Sequence, residues 1–174
     1  GTPMRRGDGY ADLSHVYGAV DEIAPLLESF AVITTKSTVP TGTSREIERR
    51  VAALRPDLEF AVCSNPEFLR EGSAIQDFTH PDRVLVGTDS AKAREVLDRL
   101  YAPLNLRGSP VIFVTRESAE LAKYAANAFL ALKISFINEI ADLCEQVGAD
   151  VQQVAAAIVV EVDQTNRHDP ADLL

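Results

Sequence analysis

Three stretches of this chain pair reactive side-chain types with spacings that chemistry can use. Lys36 to Thr43 reads KSTVPTGT and follows a short β-branched run. Ser37, Thr38 and Thr41 offer hydroxyls, Pro40 stiffens the turn, and Gly42 lets backbone approach a ligand. The octapeptide reads equally as a plain strand-to-helix turn with Thr43 or Ser44 as N-cap. Asn65 to Gly72, NPEFLREG, sets Glu67, Arg70 and Glu71 beside Phe68 and Leu69. Apolar residues interleaved with charges suit a loop that grips a ligand with its backbone and aims a carboxylate at it. A solvated surface loop is the plainer alternative. Glu120 to Ala131, ELAKYAANAFLA, places Lys123 and Asn127 at i, i+4 on one helix face among Ala, Leu and Phe. An ammonium and an amide there can polarise an oxygen. The bland reading is a snorkelling lysine and a surface asparagine.

The elements that must position these residues alternate along the chain. Ser14 to Ser29 has the apolar spacing of a helix, with Ser14 as N-cap and Pro25 late enough to kink or end it. Strands are expected at Ala31 to Thr35, Glu59 to Ser64, Arg83 to Gly87 and Val111 to Thr115. Helices are expected at Thr43 to Leu54, Ser73 to Phe78 and Ser90 to Tyr101. A long helix from about Ser118 to Val147 ends at Gly148, and Asp150 caps a last short helix to about Ile158. Alternation of this kind implies βαβ units, a parallel sheet and helices on both faces. KSTVPTGT and NPEFLREG both leave strand carboxyl ends, where such sheets open their ligand crevice. The long helix, at roughly 30 residues and about 45 Å, links two domains or packs on a partner subunit.

Composition narrows the function classes. The 174 residues suffice for one domain with a real core, and 46% hydrophobic with 25% charged residues is ordinary for a soluble globular protein. A net charge of −9, spread along the chain, argues against nucleic acid as partner. It leaves room for a dinucleotide or nucleotide sugar, which a few backbone N–H groups and one or two cations can hold. Cys63 and Cys144 are far apart in apolar contexts, as expected of reduced, buried thiols in a cytoplasmic protein rather than nucleophiles. No run approaches transmembrane length and no metal site is expected.

Together the three stretches resemble one family, the UDP-glucose/GDP-mannose dehydrogenases, which oxidise a sugar nucleotide twice with NAD. The likeness runs from Gly1 to about Ile158 and includes GTP…DGYADLS, DFTHPDRVLVG and KISFINEIADLCEQVGADV. PDRVLVG is more similar to the UDP-glucose branch than to the GDP-mannose branch. The resemblance implies an α/β fold: part of a Rossmann-like NAD-binding domain over 1–117, a central dimerisation helix over 118–158, and a divergent tail over 159–174. It implies that Glu67 is the acid or base for a thioester intermediate, that Lys123 stabilises the oxyanion at sugar C6, and that Asn127 helps hold it. Thr38 would sit beside the catalytic water and nicotinamide, with Ser37 next to it on the cofactor. Thr2 and Pro3 match a turn lining the dinucleotide, and Glu71 a residue facing the nicotinamide ribose. Phe68, Leu69, Arg70 and Glu71 would clasp the nucleotide sugar through their backbone. The expected partners are a UDP-sugar and a second copy of the chain, with no membrane and no nucleic acid.

The family pattern also contains a glycine-rich GxGYVG turn ahead of these motifs and an acidic residue for the adenosine ribose. After them come a G-x-D-x-R-I-G run and a GGxCFxKD segment with the nucleophilic cysteine. None of these is spelled here, and Asp163, Gln164 and Arg167 match the run only loosely. The resulting expectation is an incomplete piece without turnover of its own. The alternatives are the same chemistry on GDP-mannose or a UDP-N-acetylhexosamine, and a non-enzymatic dimerising or nucleotide-binding module.

Overall fold

The computed structural model describes residues 2–69, 72–105 and 108–165. The chain divides into two compact units, Gly1–Ala126 and Asn127–Leu174. In the first, an N-terminal hairpin closes with Arg5 N–H on Tyr10 O and Asp12 N–H on Pro3 O. Helix α1 (Ser14–Ile23) follows and stops where Pro25 opens a 3-10 turn over Ala24–Leu26. The expected N-cap at Ser14 is corrected. Leu13 holds that position, and the neighbouring carboxylate of Asp12 accepts the Ser14 N–H at 2.9 Å. That bond is the main cause holding the Asp12 carboxyl below its ordinary value.

The sheet is four-stranded, β1 (Ala31–Thr35), β2 (Phe60–Ser64), β3 (Val84–Gly87) and β4 (Val111–Val114), in that order. The expected all-parallel sheet holds within each outer pair but not at the centre. β1 and β2 are parallel, as are β3 and β4, whereas β2 meets β3 antiparallel at one register pair, Ser64 with Gly87. Among the described residues, the one regular element between them is a six-residue helix, α3 (Ala74–Thr79). It rises only about 9 Å, and β3 meets β2 at the carboxyl end of β2, through Ser64 and Gly87. The two parallel pairs therefore run towards each other, and Thr35, Ser64, Gly87 and Val114 form one row across the sheet at the strands' carboxyl ends.

Helices cover both faces because β2 alternates. Ala61 and Cys63 pack with Val84, Val86 and the α4 (Ala91–Asn105) residues Ala93 and Leu97. Val62 packs oppositely with Val20, Ala24 and the α2 (Thr43–Leu54) residues Ile47 and Val51. Helix α5 (Arg116–Val147) starts directly after β4, with Arg116, Ala119 and Glu120 all buried. Arg116 binds Asp89 at 2.9 Å and Glu48 at 3.1 Å, tying α5 to α2 and to the turn after β3.

The N-terminus of α2 departs most instructively from expectation. Its N-cap is Gly42, in the left-handed region at φ +96°, and neither Thr43 nor Ser44 caps it. The cap comes from 76 residues away: Glu120 on α5 accepts the Ser44 N–H at 2.8 Å and the Ser44 hydroxyl at 2.6 Å. Its other oxygen accepts the Gly42 N–H at 2.7 Å. A carboxylate here also faces the positive end of the α2 dipole.

In the second unit α5 ends in a left-handed cap, with Gly148 at φ +73° and Ala149 N–H bonded to Cys144 O at 2.9 Å. Asp150 caps α6 (Val151–Thr165) by accepting the Gln152 N–H at 2.8 Å. The helix runs past Ile158, where it was expected to end, through Thr165. Arg167 lies outside the described residues.

Four substitutions test this frame. A Cβ on Gly87 would lie 2.7 Å from Ala119 Cβ and 2.8 Å from Arg116 Cα and Thr115 O. Gly87→Ala is expected to lower stability by about 1–3 kcal/mol, whereas Gly18→Ala, in open space on α1, gains about 0.5–1 kcal/mol. Glu120→Ala strands two N–H groups and a hydroxyl and is expected to cost about 2–3 kcal/mol. Glu117→Ala, removing a more exposed partner of Arg45, costs below about 1 kcal/mol. Urea unfolding midpoints of the four variants give the ranking.

Candidate functional site

KSTVPTGT leaves β1 and NPEFLREG leaves β2, and the parallel pairing of Thr35 with Ser64 delivers both to one edge. Between them and the segment 77–84 opens a cleft of about 320 Å³, lined by Lys36, Asn65, Glu67, Phe68, Phe78 and Tyr101 among others. Its floor is Asn65, 2% exposed. The Asn65 backbone N–H donates to Thr35 O at 2.9 Å and its side-chain Nδ2 to Leu85 O at 2.7 Å, so one residue at the end of β2 ties to β1 and β3. Lys36 Nζ donates to Asn65 Oδ1 at 2.9 Å, and the Tyr101 hydroxyl from α4 donates to the same oxygen.

Glu67 stands at the mouth, half-buried, its Oε1 3.2 Å from Lys36 Nζ. The next residue, Phe68, presents its ring to two cations, Arg83 at 4.7 Å and Lys123 at 5.0 Å. Lys123 reaches this loop from α5. Burial pushes its pKa below the ordinary lysine value, and the nearby Glu67 carboxylate partly restores it. The structure thus brings Glu67, Phe68 and Lys123 together.

Thr2 and Thr38 form a second pairing. Thr2 Oγ1 donates to Thr38 O at 2.6 Å, which seats the N-terminal hairpin on the KSTVPTGT loop. Ser37 lines a groove of about 300 Å³ between α1 and β1. Pro3 is exposed at the hairpin's entry, so Thr2, Pro3, Ser37 and Thr38 gather around the carboxyl end of β1, an arrangement that suits one end of an extended cofactor. Leu69 is exposed beside Phe68. Asn127 is exposed on α5, one turn beyond Lys123. Arg70 and Glu71 lie outside the described residues.

Three members of the site carried no signal that local reading could use. Lys36 and Asn65 are the first residues of their motifs but acquire partners only across the sheet. Tyr101 belongs to the apolar register of α4, and its hydroxyl is what reaches the cleft. Cys63 and Cys144 are free and buried, and burial pushes the Cys63 thiol up, away from the thiolate a nucleophile needs. Among the described residues no cluster of His, Cys, Asp and Glu could hold a metal ion, and no helix is long and apolar enough to cross a membrane.

Comparison with known proteins places this geometry. Residues 1–105 match the family model described as UDP-glucose/GDP-mannose dehydrogenase family, NAD binding domain. Residues 117–168 match that family's central domain, so the match extends ten residues beyond Ile158. The chain is similar to a UDP-glucose 6-dehydrogenase of Rhizobium meliloti, 59% identical over 91% of this chain and 37% of the relative. It is also similar to the Bacillus subtilis UDP-glucose 6-dehydrogenase TuaD, 49% identical over 91% and 34%. Among solved structures, a UDP-glucose dehydrogenase from Pyrobaculum islandicum superposes with a TM-score of 0.83 at 40% identity, covering 90% of this chain and 36% of that one. A GDP-mannose dehydrogenase from Pseudomonas aeruginosa superposes at 0.84 with 30% identity, covering 91% and 37%. The chain spans a little over a third of the length of the curated relatives it matches. With both family models aligned in order over most of its length, this chain belongs to the UDP-glucose/GDP-mannose dehydrogenase family.

Proposed function

We propose that this chain forms part of an NAD-dependent dehydrogenase that oxidises UDP-glucose to UDP-glucuronate with two NAD. The observation that carries the reading is that Lys123 lies against the ring of Phe68, the residue after Glu67, close enough for the Glu67 carboxylate to act on its charge. A carboxylate at the mouth of the cleft and a partly desolvated ammonium on the Phe68 ring beside it are what proton removal and charge stabilisation at one carbon require. Lys123 would bind the sugar C6 oxygen and stabilise its negative charge, with Asn127 holding the same oxygen. Glu67 would take or return the proton. Burial strengthens both roles, because charges act further where water is thin.

NAD, when bound, accepts hydride from the sugar. Ser37, Thr38, Thr2 and Pro3 would line the dinucleotide, Thr38 beside the nicotinamide and a water, and Glu71 would face the nicotinamide ribose. The backbone of Phe68 to Glu71 would clasp the nucleotide sugar. The choice of a uridine sugar over GDP-mannose is supported by relatives at 59% and 49% identity that carry the UDP-glucose name, against 30% for the GDP-mannose enzyme. Residues 1–117 would serve cofactor and sugar, and 118–158 assembly. Phe129, Leu130, Leu132, Ile134 and Phe136 are exposed on α5, and this apolar surface supports a homodimer through that helix. The free thiols agree with a cytoplasmic protein.

Calorimetric titration of the purified chain tests the ligands. UDP-glucose is expected to bind at micromolar to millimolar strength, and Lys123→Ala to weaken it about tenfold, the effect of about 1.4 kcal/mol. A chain that is folded by circular dichroism yet takes up neither UDP-glucose nor NAD would refute the reading. Sedimentation is expected to give a dimer that Phe136→Glu converts to monomer.

A further inference from the structure

Lys36 opens the KSTVPTGT stretch, yet none of the roles proposed above falls to it. Its surroundings are built with more care than a solvated lysine needs. The ammonium donates to Asn65 Oδ1 at 2.9 Å and lies 3.5 Å from Asn65 O and 3.4 Å from the Tyr101 hydroxyl. The Asn65 amide cannot turn away. It is 2% exposed, its Nδ2 is committed to Leu85 O, and the Tyr101 hydroxyl donates to the oxygen that Lys36 uses. The rings of Phe78 and Tyr101, each 6.0 Å from the ammonium, complete the seat. The one remaining contact points outward, to Glu67 Oε1 at 3.2 Å.

Glu67 is thus under the pull of two cations, Lys36 in contact and Lys123 through space. A carboxylate released from Lys36 would move towards Lys123, whose partial burial strengthens its attraction to a counter-charge. Such a pair would neutralise both groups at once. We propose that Lys36 is a positioning residue: seated on Asn65 and Tyr101, it holds the Glu67 carboxylate at the mouth of the cleft and apart from Lys123, leaving that ammonium open to a substrate oxygen. The inference rests on the reading of Glu67 as proton carrier and Lys123 as oxyanion partner. The seat is made from the first residues of two loops and the floor of the sheet, so its geometry is set by folding rather than by ligand binding.

The test uses the full chain labelled with ¹³C at lysine Cε, whose lysines are Lys36, Lys92, Lys123 and Lys133. The titration of Lys123 is followed by NMR without ligand. In Lys36→Met the released Glu67 is expected to pair with Lys123 and raise its midpoint by about half a pH unit or more. Lys36→Arg, which keeps the charge, is expected to leave the midpoint near the parent value. The control is the same step in a Glu67→Gln background, where the rise should vanish. No rise in Lys36→Met, or a rise that persists with Glu67→Gln, overturns the proposal, the second because it marks mere loss of a neighbouring charge. A Lys123 midpoint that Glu67→Gln does not lower overturns the Glu67–Lys123 pairing itself, and the proposal with it. Circular dichroism confirms folding, and Lys36→Gln replaces Lys36→Met if the latter unfolds.

Discussion

One buried carboxylate holds the site's parts in register. Glu120 accepts two backbone N–H groups and a hydroxyl at the start of α2, and it sits three residues before Lys123 on α5. Residues three apart on a helix share a face. The clasp that completes α2 therefore also fixes where Lys123 stands relative to the loop between Lys36 and Gly42. The arrangement is economical in a physical sense: helix N-termini leave donors unsatisfied, and this one is satisfied by the element that must be located. The close approach of α5 to Gly87 and the ion pairs of Arg116 with Glu48 and Asp89 restrain the same few residues from other sides.

Around this anchor the cations of the site have different supports. Glu67 lies between a lysine braced by neutral polar groups and a lysine braced by an aromatic ring. Phe68 meets both Lys123 and Arg83, so a single side chain spaces cations that would otherwise be free to rearrange. Aromatic support of an ammonium excludes water without offering a counter-charge. That combination agrees with the lowered pKa of Lys123.

Much of this was legible in the sequence, and what was not has a common cause. β1, α2 and the chemistry of KSTVPTGT, NPEFLREG and ELAKYAANAFLA follow from local pattern, because each depends on neighbours a few residues away. The cap of α2 does not: Thr43 and Ser44 are strong local candidates, and a glutamate 76 residues on displaces them. The antiparallel junction of β2 and β3 was hidden for the same reason, since strand pattern says nothing about which way the chain re-enters a sheet. Glu67 and Lys123 could be picked out by type and motif. Lys36, Asn65 and Tyr101 could not, because their meaning lies in contacts spanning 29 to 65 residues.

Asn65 carries two loads, the stitch between the strand pairs and the seat of Lys36, which raises the question of chemical ageing. Asparagine side chains hydrolyse chiefly through a cyclic imide, formed when the following backbone nitrogen attacks the amide after giving up its hydrogen. Here the following residue is Pro66, whose nitrogen has no hydrogen to give. The ordinary route from asparagine to aspartate is closed at this position. The amide whose conversion would remove a donor from Leu85 and set a new negative charge beside Lys36 is thereby shielded by its own successor in the chain.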